Sequence, residues 1–335
     1  MILYIGNNLS KPNSNVTTLQ LLASLLKKED FDVCCVSSKV NQAFRLVDML
    51  SSIVKYRNKI SYILIDTYST KNFYYAFLSS QVARLLNLKY IPILHGGNLP
   101  DRLVASPKMS QMLFNNAYRN IAPSNYLKAE FKKHGYEAEY IPNVLDVFSY
   151  TYKQREIFQP KLLYVRAFHR LYNPQMAIHV LAELLKIYPN AKLCMVGPDK
   201  DGSLNECIEL AMRLKVSNSV VFKGMLTKSE WHSLSENYDV FINTTTVDNT
   251  PVSVMEAMAL GLLVVSTDVG GMPYLIEHGK SGVLVKSNDV TEMVLAVKEI
   301  VSNSLHYSEM SFLARQKVER FDWKVVKELW NRLLK

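Results

Sequence analysis

The sequence predicts a two-domain α/β protein in which each domain holds a doubly wound parallel sheet. Three observations lead there. The chain has 335 residues, more than one hydrophobic core comfortably supports. Short β-rich apolar runs alternate with longer segments of helical period, joined by short connections. That alternation occurs twice, on either side of a polar, irregular stretch at 144–160 that reads as a linker. The expected spans are 1–150 for the first domain and 151–310 for the second. A terminal helix, 311–335, returns towards the first.

The first alternation runs ILYI (2–5), a helix at 16–28, VCCVS (33–37), a helix at 41–57, YILID (62–66), a helix at 71–87 and YIPIL (90–94) ending at HGG. NIAPS (120–124), a helix at 125–135 and AEYIPN (138–143) close it. The second runs KLLYVR (161–166), helix 174–188, AKLCMVG (191–197), helix 203–215, SVVFKG (219–224), helix 228–237, YDVFIN (238–243), helix 252–260, LLVVST (262–267), helix 271–278 and GVLV (282–285). Helices at 289–303 and roughly 308–334 end the chain, the last with a one-sided apolar stripe expected to pack across both domains. Uninterrupted apolar strands point to parallel sheets covered on both faces. Such sheets take ligands at the carboxyl ends of their strands, and two facing edges would make a cleft.

Composition is that of an ordinary globular protein, 48% hydrophobic and 21% charged, which excludes a disordered or fibrous chain. Cys34, Cys35, Cys194 and Cys207 form no CxxC pair and no metal-spaced cluster with histidine, so buried free thiols and no metal site are expected. No segment approaches the roughly 20 apolar residues of a membrane span. MILYIGNNLS lacks a basic leader and runs straight into a strand, which predicts a cytoplasmic protein without a signal peptide. Residues 1–152 hold 17 Lys and Arg against 10 Asp and Glu, or +7, while the remainder of the chain holds 22 against 20, or +2. This asymmetry suits an anionic partner as well as it suits plain solubility. Nucleic acid is not expected, because the basic residues lack aromatic interleaving or a known motif. The stretch 44–59 is basic and amphipathic, with Phe44, Leu46, Val47, Leu50, Ile53 and Val54 flanked by Arg45, Lys55, Arg57 and Lys59. It reads either as a core face or as a face for anionic lipid.

Residues 248–261, DNTPVSVMEAMALG, carry the most chemistry. A strand ends at Asn243 and a helix begins near Pro251, so the first N–H groups, of Val252, Ser253 and Val254, face outward at the positive end of the helix. That suits phosphate. Glu256 lies inside an apolar run, where a carboxylate needs a partner, and it can accept both hydroxyls of a ribose diol. Together with Asp248 in the loop above, the pattern describes a nucleotide-sugar site; the plain alternative is a helix with a loop Asp and a solvated Glu. DVGGMPYLIEHGKSGVLV (268–285) adds a Gly-Gly loop after a strand, expected to let backbone approach a ligand.

These stretches, with APSNYLKAEFKKHG (122–135), YIPNVLD (140–146) and LLYVRAFHRLYNP (162–174), resemble the retaining glycosyltransferases of family 4. Their GT-B fold is two Rossmann-like domains facing across a cleft, and their Glu-x7-Glu motif is matched by Asp248 and Glu256. The resemblance implies that Glu256 binds the donor ribose and Asp248 the transferred sugar. It places backbone at Val252 and Ser253 near the pyrophosphate, and gives Arg166 the diphosphate charge. Gly224 and Met225, in FKGML (222–226), match the loop that meets the nucleobase. His95, followed by Gly96, matches a first-domain histidine beside the sugar. Three positions depart from the family: Asp248 replaces the usual Glu, Tyr172 stands where a second phosphate-binding Lys is usual, and GNNLSKPNSN replaces a glycine-rich loop. His169 or Arg170 would be the nearest substitutes for the lysine. Asn7 and Asn8 would bond a ligand or form Asx turns, the latter slightly favoured.

The expected function is therefore transfer of a sugar, with retention, from a nucleoside-diphosphate donor (UDP- or GDP-sugar) to a hydroxyl acceptor. A saccharide or lipid-linked acceptor in surface polysaccharide or glycolipid assembly fits best, with no cofactor. An anionic membrane surface at the inner face of the cell membrane is a further expected partner. The alternatives are a nucleotide-sugar epimerase of the same fold and a catalytically silent binding protein.

Overall fold

The computed structural model describes residues 1–9 and 17–335. The expected loop positions 10–15 and Val16, the first residue of the expected helix 16–28, lie outside the described residues. The chain divides into two compact units, one of Met1–Val144 with Trp323–Lys335 and one of Leu145–Asp322.

The first unit contains β1 (Ile2–Ile5), α1 (Thr18–Lys28), β2 (Val33–Val36), α2 (Gln42–Tyr56), β3 (Tyr62–Thr67), α3 (Asn72–Leu85), β4 (Tyr90–Leu94), α4 (Leu99–Ala105), α5 (Pro107–Phe114), β5 (Ile121–Ala122), α6 (Asn125–Lys133) and β6 (Glu139–Tyr140). The six strands run parallel in the order β2-β1-β3-β4-β5-β6. Strand order reverses between β1 and β3, where an open α/β sheet offers its ligand crevice. Gly6 and Asn7 leave β1 there, and Asp66 and Thr67 end β3.

The second unit contains β7 (Lys161–Val165), α7 (Pro174–Leu185), β8 (Lys192–Val196), α8 (Ser203–Arg213), β9 (Val220–Gly224), α9 (Lys228–Ser235), β10 (Val240–Asn243), α10 (Val252–Ala259), β11 (Leu263–Thr267), α11 (Met272–Leu275), β12 (Val283–Val285), α12 (Val290–Ser302) and α13 (Ser304–Glu319). Its sheet is also parallel, in the order β12-β11-β10-β7-β8-β9. Here the order reverses between β7 and β10, so Arg166 and the loop 244–251 leave adjacent strands at the crevice. Val240, Phe241 and Ile242 of β10 are buried in opposite layers of the core, each contributing about 1.5–3 kcal/mol. That double burial is why the strand reads as an unbroken apolar run.

Several elements differ from the sequence expectation. The helix expected at 308–334 is two helices, α13 and α14 (Trp323–Leu334). The chain turns at Arg320–Asp322 because buried Asp322 accepts the Val147 N–H at 3.1 Å, while Phe321 O accepts that of Leu145 at 3.0 Å. α14 lays Val326, Trp330, Leu333 and Leu334 against β1 and α1 of the first unit. The helix expected at 271–278 stops at Leu275, where Ile276 turns extended.

The stretch 144–160 is docked structure rather than open linker. Arg155 is buried in the second unit, donating to the carbonyls of Lys153, Ser235, Tyr238 and Leu260 and pairing with Asp239. The amphipathic stretch 44–59 is also reassigned. Arg45 is buried, donating to Lys39 O, Val40 O and Asn7 Oδ1, and Ile53 is in the core. The apolar residues left exposed on α2 are Phe44 at 69%, Val47 at 62% and Val54 at 43%.

Candidate active site

In the first unit, β3 and β4 deliver Asp66 and His95 side by side, because they are register neighbours ending at the same sheet edge. His95 Nε2 lies 2.9 Å from Asp66 Oδ1, which also accepts the Tyr4 hydroxyl at 3.0 Å. Tyr68 stacks on the imidazole with ring centroids 4.9 Å apart. With Nε2–H given to the carboxylate, Nδ1 is left as the acceptor of the ring. Burial, then the neighbouring Asp66 charge, pushes the Tyr4 and Tyr68 phenols well above their ordinary range, so both stay protonated donors. Gly96 follows, exposed, with φ +87°. Among the described residues, the Asn7 side-chain oxygen accepts Arg45 Nη1 at 2.8 Å, and that of Asn8 accepts Gln20 Nε2 at 3.0 Å.

In the second unit, Arg166 leaves β7 and is ion-paired with Asp248. Its guanidinium carbon sits 4.2 Å from the centre of the Tyr172 ring. Its buried Nε has no hydrogen-bond partner among the described residues. Burial holds the Asp248 carboxyl above the ordinary range, against the lowering pull of Arg166 and the Asn249 N–H. The position of the family lysine is thus occupied by an aromatic platform for the arginine. Arg170, where a substitute cation was expected, pairs with Glu206 at 3.0 Å, and His169 Nδ1 accepts the Leu171 N–H.

A run of threonines ties the two loops together. Thr244 Oγ1 donates to Tyr172 O or Asn173 O, at 2.9 and 2.8 Å, and Thr246 bonds Leu171 O through both its N–H and its hydroxyl. The Gly-Gly loop serves the same purpose. A Cβ on Gly270 would fall 2.1 Å from Asp248 O, and one on Gly271 only 1.7 Å from Asn249 O. The pair therefore packs under the Asp248 loop, and its nearest neighbour is protein backbone.

α10 begins at Val252 after Pro251, without a side-chain cap. The Val254 N–H is already bonded to Pro251 O at 3.1 Å, so of the three donors expected at this helix start, Val252 and Ser253 remain. Beside them, Ser253 Oγ is buried and has no partner among the described residues. One turn further, Glu256 is 4% exposed. Its Oε1 accepts the Tyr150 hydroxyl at 2.8 Å and pairs with Lys228 Nζ at 2.7 Å, so it is not a solvated helix residue. At the end of β9, Gly224 takes φ +63° and its carbonyl accepts the Gly197 N–H at 2.7 Å, which leaves the exposed Met225 as the free part of that loop. Tyr150, Lys228 and the threonine run are the residues that sequence reasoning missed. The one local signal was the capping box of Thr227 and Glu230, which fixes Lys228 as the first residue of α9.

This pair of parallel sheets has the GT-B fold. Solved structures match it across the chain: the Anabaena protein HepE in complex with UDP has a TM-score of 0.79 at 16% identity, covering 99% of both chains. Sucrose-phosphate synthase of Thermosynechococcus elongatus has a TM-score of 0.80 at 17% identity, covering 99% of this chain and 97% of its own. Residues 153–317 match the family model of glycosyl transferases group 1. Among curated relatives, sulfoquinovosyl transferase SQD2 of Arabidopsis thaliana is 27% identical over 153 residues, 45% of this chain and 29% of that protein. D-inositol 3-phosphate glycosyltransferase of Corynebacterium jeikeium is 28% identical over 182 residues, 52% of this chain and 43% of that protein. The matches thus span less than half the length of these relatives. Both are named transferases, and the epimerase alternative gains no support from them.

Proposed function

We propose that the chain is a retaining glycosyltransferase that moves a sugar from a UDP- or GDP-sugar to a hydroxyl acceptor. One observation carries the reading. Two helix-start N–H groups of α10, the Ser253 hydroxyl and Arg166 Nε, the last two buried and without partners among the described residues, lie in the unit that also holds Glu256. Buried polar groups without partners are costly, and these two side-chain groups can both donate. An anion such as a diphosphate satisfies them together.

In this reading Arg166 and the Val252 and Ser253 N–H groups stabilise charge as it develops on the leaving diphosphate. Glu256 accepts the ribose hydroxyls and Met225 lies under the base. Asp248, held by Arg166, accepts from the transferred sugar, and His95, oriented by Asp66, keeps Nδ1 as an acceptor at the edge of the first sheet. The leaving phosphate takes the acceptor proton, so no protein nucleophile is assigned. HepE, the structural neighbour, binds UDP, which supports a nucleotide donor.

The acceptor is a saccharide or a lipid-linked sugar of surface polysaccharide or glycolipid assembly, met at the inner face of the cell membrane. Phe44, Val47 and Val54 follow helical spacing on the open side of α2, with Val40 preceding them and Lys39, Lys55, Arg57 and Lys59 alongside. Among the described residues no helix is long and apolar enough to cross a membrane. Incubation with UDP- and GDP-sugars and NMR of the transferred anomer tests the reading. A transferred sugar with the donor's anomeric configuration supports it. Inversion contradicts it, and nucleotide binding without turnover favours a silent GT-B protein, the outcome that Tyr172 in place of lysine would explain.

A further inference from the structure

The Glu256 carboxylate is bonded on one side only. Oε1 accepts the Tyr150 hydroxyl at 2.8 Å and is ion-paired with the Lys228 ammonium, 2.7 Å away. Among the described residues no donor is bonded to Oε2. The two braces come from opposite directions in the chain: Tyr150 from the docked segment before β7, Lys228 from the first position of α9. His232, one turn along α9, packs its ring 4.6 Å from that of Tyr150, and Trp231 packs against His232 in turn. The Tyr150 phenol is therefore walled in, and burial with the carboxylate beside it keeps it protonated.

We infer that Tyr150 and Lys228 are positioning residues that lock Glu256 so that Oε2 alone receives the two ribose hydroxyls. They thereby set how strongly the site prefers a ribonucleotide over its 2′-deoxy counterpart. The inference rests on the donor-site reading given above. Its physical content is that a carboxylate free to rotate chooses whichever oxygen suits a remaining hydroxyl. One pinned through Oε1 cannot, and so loses a full hydrogen bond when the 2′-hydroxyl is absent. Neither brace touches the reacting atoms. Lys228 also offsets the charge of a carboxylate that would otherwise be buried alone.

The experiment is calorimetric titration of the full chain with UDP, GDP and their 2′-deoxy forms. For whichever base binds, wild type should prefer the ribonucleotide by at least about tenfold, the value of one charge-assisted hydrogen bond. Tyr150→Phe and Lys228→Met should each shrink that preference several-fold, with donor KM rising and kcat little changed. Lys228→Arg should restore part of it. Lys228 is half exposed, so its variants read out the effect even if Tyr150→Phe fails to fold. A wild-type preference that survives unchanged in both variants overturns the inference and leaves Glu256 as the ribose ligand. No preference in wild type overturns the ribose reading of Glu256 itself, and this inference with it.

Discussion

Arg166 is ion-paired with Asp248 while its guanidinium lies on the Tyr172 ring and its buried Nε bonds to nothing among the described residues. An arginine held on one edge with a spare donor on another suits an anion, and a lysine cannot reproduce that plane. Arg166→Lys should therefore lower kcat/KM on the order of 100-fold while the melting temperature moves by only a few degrees. Steady-state kinetics beside a thermal melt measures both. A collapsed melt with normal specific activity would make Arg166 a structural residue instead.

The Gly270–Gly271 turn supports Asp248 from beneath. Gly271→Ala places a methyl 1.7 Å from Asn249 O, and neither backbone can yield without moving the Asp248 loop. A cost of about 1–3 kcal/mol is expected, as for overpacking a tight site. It should appear as a lower urea midpoint together with weakened nucleotide binding. Unchanged values of both would mean that the loop has more room than its geometry indicates.

His232 provides a pH signature. Burial, and then the Lys228 charge, lowers its pKa from the ordinary 6.5 to about 4. The unfolded chain thus binds a proton over that window that the folded chain refuses, so stability must rise with pH there. The second unit should lose stability as pH falls from about 6.5 towards 4, and His232→Gln should flatten that part of the profile. Urea midpoints across the range decide it; identical slopes in both proteins would place the imidazole in a more open setting.

The exposed face of α2 predicts reversible, salt-sensitive attachment to anionic vesicles. Lys39, Lys55, Arg57 and Lys59 contribute about 1 kcal/mol each near such a surface, and Phe44 and Val47 add insertion of apolar groups. Flotation with phosphatidylserine vesicles should fall with added salt and with Phe44→Ser/Val47→Ser. Equal partition onto neutral vesicles, or none onto either, contradicts it and moves the acceptor towards a soluble sugar or protein.

The two-sheet architecture and Glu256 were legible because they are local signals: alternating periods along the chain, and one carboxylate inside VSVMEAMALG. What surrounds Glu256 was not. Its Tyr150 partner lies 106 residues away, and no pattern in the chain ties the two together. Which α2 residues turn inward was not legible for a related reason. Amphipathic spacing shows that a helix has two sides, but Arg45 goes inward on the strength of three carbonyl-type acceptors supplied by the chain around it. Likewise the break between α13 and α14 carries no Gly or Pro; it is imposed by the bond from Val147 to Asp322.

The central claim is that Glu256 stands at a nucleotide's ribose, and one titration tests it most directly. Wild type and Glu256→Ala are compared for binding of UDP and GDP, with melting temperature recorded on the same samples. Loss of charge-assisted bonds worth about 1.5–3 kcal/mol each predicts affinity lowered well over tenfold with the fold retained. Wild-type affinity in the folded variant would contradict the account.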